Sequence, residues 1–349
     1  MSTVQHGRRG LDLSPSTVVD VHAHYMPRAA LDQMSTGRAV VRLETWCGVD
    51  DHITLNAMPV GTVIDRLHDV DSMLREMDAT GVDVRVLSPP PFTYRYWADP
   101  IDGLALCRLI NEATSAVVSQ HPDRFIGFAT VPMQDAGAAV TELVRGVEEL
   151  GLNGLAVGTN VAGRHLSAPG CEDVLAAAAA DGLPVLVHPD FVPNERLSDH
   201  YLVNLIGLPT ESAASLASLV LDGTLGRLPD LRICFVHGGG SFPYLLGRLD
   251  WGWKVRPETG HDSDRRPSES IDNVFFDGLT HDPVGLRFLI DIVGPRRVVV
   301  GTDAPFDVAL TDPLGHLAAT PRLTAEEKSI IEHESAREWL IGLPSQTRR

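Results

Sequence analysis

With 349 residues, 44% hydrophobic and 21% charged, the chain carries enough apolar material for one large core, either a barrel of roughly 250 or more residues or two smaller domains. A formal net charge of −17 argues against nucleic acid or an anionic membrane surface as partner, and no apolar run approaches the roughly 20 residues that span a bilayer. Cys47, Cys107, Cys171 and Cys234 are scattered without C-x-x-C spacing, which fits a reducing, cytoplasmic compartment and reads first as four small buried hydrophobes.

Residues 1–16 contain His-Gly-Arg-Arg with no apolar stretch behind it, a flexible lead-in rather than a secretory signal. Thr17, Val18, Val19 and Val21 then run as a strand into His22 and His24, and Pro27 forbids its continuation. In an extended segment, side chains two apart share a face, so His22 and His24 can grip one metal ion while Ala23 points away. Alone, so short a pattern reads equally well as two ordinary histidines near a loop. Residues 28–68 have no clear period and are expected to form an insertion over the mouth of the fold.

From Asp69 the spacing of Val70, Met73, Leu74 and Met77 predicts a helix ending at Gly81, followed by a strand over 82–88 that three prolines stop. The alternation continues with helix 101–120, strand 125–131, helix 136–150, strand 154–158, helix 171–180, strand 183–188, helix 211–222, and strands 231–237, 274–277 and 297–303. Eight strands, several apolar throughout, indicate a parallel sheet buried on both faces. Closure into a (β/α)8 TIM barrel over 17–343, with a short tail at 344–349, is the economical α/β architecture.

His188 ends one strand before Pro189, His237 ends another before Gly238-Gly-Gly240, and Asp303 ends the last before Ala304-Pro305. All strands of a parallel barrel open onto the same face, so these groups and the H-x-H are expected to converge. Imidazoles with a carboxylate suit a borderline divalent ion, with zinc as the default, and zinc lowers the pKa of bound water toward neutrality. The chain's two lysines, Lys254 and Lys328, lie on none of the expected strands, so no lysine is placed to bridge two metals and one ion per chain is expected.

The segments Val-Asp-Val-His-Ala-His, Val-His-Pro, Phe-Val-His-Gly-Gly-Gly-Ser-Phe-Pro-Tyr-Leu-Leu-Gly-Arg-Leu-Asp and Val-Val-Gly-Thr-Asp-Ala-Pro-Phe together resemble the amidohydrolase-related decarboxylases. The resemblance runs from about Val18 to Gly342 and includes Arg75–Asp83, Tyr96-Trp-Ala98, Arg124–Gly127 and Thr280-His-Asp-Pro283. It implies a zinc-dependent, oxygen-independent carbon–carbon lyase of the metal-dependent amidohydrolase superfamily, in a distorted barrel and as a homodimer, acting on a small unsaturated or aromatic carboxylic acid. Carried over by position, His22, His24, His188 and Asp303 hold zinc, with Asp303 also in the catalytic set. His237 holds and deprotonates the metal-bound water and moves the proton. Arg248 matches an arginine that enters the neighbouring subunit's site to clamp a carboxylate, where as a bare residue it reads as a helix-surface arginine in an ion pair. Phe306 matches an aromatic of the pocket, or simply packs in the core. Trp251-Gly-Trp253 suits an interface core or packing under a helix.

Two positions depart from the resemblance. Gly61 stands where a second substrate-binding arginine is expected, with Arg66 five residues further on, and Asp190-Phe191 stands where Trp often follows His-Pro. Phe191 and Trp97, with Trp46 and Tyr94, are candidate aromatic walls or ordinary packing residues. The same metal site serves hydrolysis and hydration in related families, so a metal-dependent hydrolase or hydratase remains the alternative.

Overall fold

The computed structural model describes residues 10–30, 65–190, 194–259 and 265–342. Trp46, Cys47, Gly61, Phe191, most of the expected insertion, and residues 1–9 and 343–349 lie outside the described residues. Eight parallel strands are hydrogen-bonded in chain order: β1 (Val19–His24), β2 (Val84–Ser88), β3 (Phe125–Ala129), β4 (Gly154–Gly158), β5 (Pro184–His188), β6 (Arg232–Phe235), β7 (Val274–Asp277) and β8 (Val298–Val299). Residues 300–304 close the ring against β1, through Val21 N to Val300 O (2.9 Å), His24 N to Ala304 O (2.8 Å) and a parallel bridge between Ala23 and Ala304.

The last strand is regular over two residues rather than the expected seven. The backbone there threads between two site residues: a Cβ on Gly301 would sit 2.8 Å from the Cβ of Asp277 and 3.0 Å from that of His22. Asp303 then turns left-handed, with φ +63°, which ends the pleat. Elsewhere the strands fall where the sequence puts them: 154–158 and 274–277 coincide with expectation, and the others are one to three residues shorter than their apolar runs.

The connecting helices are α1 (Val70–Thr80), α2 (Pro100–Gln120), α3 (Ala136–Glu148), α4 (Cys171–Ala180), α5 (Leu208–Leu221), α6 (Phe242–Val255) and α7 (Pro283–Val293). The sequence signals for α1 are realised directly: the Asp69 carboxylate accepts from Ser72 N at 2.9 Å, Met73 and Met77 are buried, and Gly81 caps the end at φ +72°. Helix α5 begins three residues before the expected Glu211, because it runs on from a π-helical turn over Val203–Gly207 in which Val203 O accepts from Leu208 N.

Alternation within the strands separates two cores. Val185, Val187, Ile233 and Phe235 pack outward against the helices, while Leu186, Cys234, Phe128 and Val299 fill the barrel. At the N-terminal end of the strands the C-terminal helix Ser335–Ile341 inserts Trp339, fully buried, whose Nε1 donates to Arg232 O at 3.2 Å. That plug leaves the opposite end for the site. Cys107, Cys171 and Cys234 are free and buried, as small hydrophobes. No helix among the described residues is long and apolar enough to cross a membrane.

Candidate metal centre and active site

β1 delivers His22 and His24 to the carboxyl end of the barrel, β5 delivers His188, and the backbone after β8 delivers Asp303. His22, His24 and His188 are at most 2% exposed and Asp303 is 4% exposed. His22 Nε2 lies 3.1 Å, His24 Nε2 2.9 Å and His188 Nε2 3.9 Å from Asp303 Oδ1. His237 Nε2 lies 3.4 Å from Asp303 Oδ2. The expected convergence of five groups is therefore present, and one ligand atom from each of His22, His188, His237 and Asp303 falls within 4.8 Å of the others.

Each of the three most buried imidazoles turns Nδ1 outward to an oxygen. His22 Nδ1 meets Asp277 Oδ2 at 2.6 Å, His24 Nδ1 meets Pro89 O at 3.2 Å, and His188 Nδ1 meets Pro189 O at 2.9 Å. An oxygen acceptor there requires the proton on Nδ1, which leaves the Nε2 lone pair facing the centre. The Nε2 atoms of His22 and His188 are buried with no hydrogen-bond partner. Lone pairs aimed at a carboxylate across about 3 Å repel unless a cation lies among them, and donors around a tetrahedral zinc with bonds of about 2.0–2.1 Å stand roughly 3.3 Å apart. The residues present fit a divalent ion.

His237 differs from these three. Its side chain is 16% exposed, its Nδ1 is buried without a partner, and it lines the cavities in front of the centre. His24 and His237 each neighbour both His22 and His188, with ring centroids 5.0–5.3 Å apart. The turn that aims His237 is left-handed from His237 (φ +55°) through Gly240 (φ +61°), and a Cβ on Gly240 would overlap the Pro209 carbonyl.

Electrostatics follow from burial and the carboxylates. Burial pushes the His22 pKa down, but Asp303 and Asp277 outweigh it and raise it to about 10. Burial and the neighbouring imidazoles take His188 down to about 3 despite its bond to Asp303, and burial lowers His24. Burial opposes ionisation of Asp303, yet the surrounding imidazoles hold it well below the usual carboxylate range. A metal ion bound among these groups would take the place of the proton that they otherwise share.

Two acids that sequence reading missed hold the site together. Asp277, fully buried at the end of β7, accepts from His22 Nδ1, from Gly238 N at 2.8 Å and from Leu279 N at 3.2 Å. Asp20 accepts from Thr302 Oγ1 at 2.7 Å, Thr302 N at 3.1 Å and His22 N at 3.2 Å, and pairs with Arg85 Nε at 2.9 Å. Asp277 occupies the same strand-end position as His188, which was the available signal; Asp20 sits inside a strand and offered none. His281, left-handed at φ +57° within Thr280-His-Asp-Pro283, also reaches the cavity wall.

A cavity of about 350 Å³ opens in front of His237 and Asp303, walled by apolar groups that include Leu208, Tyr244, Phe288 and Val308. A smaller one is lined by Phe92, His188, Tyr201 and Phe306. Phe306 is therefore both a wall and, with its ring 5.1 Å from that of His24, a neighbour of the centre. Trp97 lines neither cavity: it is 56% exposed, with Arg95 Cζ 4.9 Å from its ring centroid. Tyr94 is a core residue stacked on Tyr96. Arg248 is exposed on α6 and makes no ion pair or hydrogen bond among the described residues, so it is not held in a surface pair.

The Amidohydro_2 family model, described as Amidohydrolase, matches residues 19–340. The 2-amino-3-carboxymuconate-6-semialdehyde decarboxylase of Dictyostelium discoideum is 34% identical over 332 residues, covering 94% of this chain and 90% of its own. The fold matches 5-carboxyvanillate decarboxylase LigW from Sphingomonas paucimobilis with a TM-score of 0.80 at 22% identity, over 93% of this chain and 99% of that one. It also matches the 5-carboxyvanillate decarboxylase of Novosphingobium aromaticivorans, solved with manganese, with a TM-score of 0.79 at 22% identity over 97% and 99% of the two chains. The chain belongs to the amidohydrolase family, and stands among its decarboxylases.

Proposed function

We propose that this protein is a zinc-dependent, non-oxidative decarboxylase of a small unsaturated or aromatic carboxylic acid resembling 2-amino-3-carboxymuconate 6-semialdehyde. The observation that carries this is the convergence of three imidazole Nε2 atoms on the Asp303 carboxylate, in a chain whose relatives are decarboxylases. His22, His24, His188 and Asp303 would hold the ion, which supplies a Lewis acid and an acidified water. His24 is preferred over His237 as a ligand because its Nδ1 has a carbonyl acceptor and it touches neither cavity wall.

When the carbon–carbon bond breaks, its electron pair stays on the substrate carbon and CO2 departs, so that carbon must take up one proton. His237, partly exposed and at the inner end of the cavity, carries that proton, since an imidazole ring nitrogen can take up a proton and hand it on. Phe306 and the apolar walls exclude water from the reacting carbon.

The working unit in this reading is a cytoplasmic homodimer. Tyr244, Arg248, Trp251 and Val255 recur at helical spacing on the exposed side of α6, and Tyr244 meets the exposed Phe288 of α7 at a centroid distance of 6.4 Å. Such a mostly apolar face with one unpaired arginine suits an isologous interface through which Arg248 clamps a carboxylate in the neighbouring site. Purified protein is to be tested on a panel of aromatic and muconate-type acids. CO2 release with the decarboxylated product supports the reading; hydrolysis or hydration of related esters, lactones or alkenes without CO2 would replace it with the alternative chemistry.

A further inference from the structure

Among the described residues, six with polar side chains line the larger cavity, and four of these are accounted for. His237 and Asp303 belong to the centre. Tyr244, 82% exposed, lies on the apolar face of α6, and the Thr280 hydroxyl donates to Asp282 O at 3.0 Å and meets His316 Nε2 at 3.1 Å. Asn204 and His281 remain, and neither side chain makes a hydrogen bond among the described residues. No lysine or arginine is among the described residues of this wall. Polar groups set among apolar walls gain most from a molecule that enters the cavity and pairs with them.

The local backbone holds both side chains at the wall. His281 is left-handed, a conformation sustained where the surroundings over-determine it. They do so here: the bond from the Thr280 hydroxyl to Asp282 O spans His281, and the Asp282 carboxylate accepts from Val284 N at 2.9 Å at the start of α7. Burial and the nearby His237 hold the His281 pKa below the ordinary 6.5, so at pH 7 the ring is neutral and offers one donor and one acceptor. Asn204 lies in the π-helical turn Val203–Gly207, just after the left-handed His200 (φ +55°) and Tyr201 (φ +61°). Such turns recur at functional sites. Asn204 lines both cavities, as His237 and Asp303 do, so its amide shares their space.

We propose that Asn204 and His281 form a neutral hydrogen-bonding subsite that takes an uncharged hydroxyl or amino substituent of the substrate and so sets specificity within an otherwise apolar cavity. This rests on the carboxylic-acid reading above and narrows it to acids that carry such a group. An amide and a neutral imidazole each combine a donor with an acceptor, which matches a hydroxyl or amino group and leaves a methyl group of similar size without a partner. A charged substituent meets no opposite charge on this wall away from the centre.

The test is calorimetric titration of the metal-loaded full-length protein with 3- and 4-hydroxybenzoate and with their isosteres, 3- and 4-methylbenzoate. Wild type should bind at least one hydroxy acid roughly five- to tenfold tighter than its methyl isostere, the scale of one net hydrogen bond. Asn204→Leu and His281→Ala should each lower that ratio about threefold or more. The double variant should favour the methyl acid, since burying an unpaired hydroxyl is costly. All of these variants should keep their bound metal, because neither residue is in the ligand set, and should bind the methyl acids as wild type does. A wild-type preference for the methyl acids, a ratio unchanged in either single variant, or metal lost in step with the ratio would each overturn the assignment. The readout is separate from turnover: a protein that prefers the hydroxyl through these residues but releases CO2 from no acid would contradict the decarboxylase reading and leave this one standing.

Discussion

His22 Nδ1 and Asp277 Oδ2 stand 2.6 Å apart, both side chains fully buried, 255 residues apart in the chain. The contact fixes the ring so that Nε2 faces Asp303, and the negative charge strengthens the imidazole as a ligand. Removing it while leaving every expected ligand in place, as in Asp277→Ala, should weaken metal binding roughly 10–100-fold. A competition titration against a chelator measures this, and unchanged affinity would reduce Asp277 to scaffolding.

His237 separates proton transfer from coordination. His237→Ala should keep most of its metal and lose about 10²-fold or more in turnover. Metal analysis of the same preparation decides the assignment, because metal lost in parallel with activity would make His237 a ligand in place of His24.

Arg248 is tested by mixing subunits. Arg248→Ala and His237→Ala proteins should each be nearly inactive, yet co-refolding them should return roughly a quarter of wild-type activity, because half the dimers are mixed and each holds one complete site. Subunit exchange seen by mass without recovered activity would confine Arg248 to its own chain or remove it from catalysis.

Glu142 sets an acid limit on stability. Burial opposes its ionisation, but Arg145, Asn111 and Arg108 outweigh that and hold its pKa below the ordinary value of 4.5. A carboxyl depressed on folding contributes stability that is present above the unfolded pKa and is lost as pH falls through the lower folded value. Glu142→Gln should therefore cost about 1–3 kcal/mol at pH 7 and less as the pH falls below 4. Denaturant melts at both pH values check this, and a cost independent of pH would assign it to packing.

The architecture was legible because buried parallel strands are apolar on both faces and carry their punctuation with them: Pro27 after β1, Pro89 after β2, Gly81 after α1. His22, His24, His188, His237 and Asp303 were legible because each closes such a run. Asp277 obeys the same rule, but a four-residue strand gives a weak signal. Trp97 lines neither of the two cavities described, since an aromatic beside a site motif need not face it.

The central claim is that one ion held by His22, His24, His188 and Asp303 drives loss of CO2. Protein stripped by chelation and titrated with zinc should evolve CO2 from its best acid substrate in proportion to bound metal, reaching a plateau at about one ion per chain. CO2 release by the stripped protein, or a plateau at two ions, would contradict it.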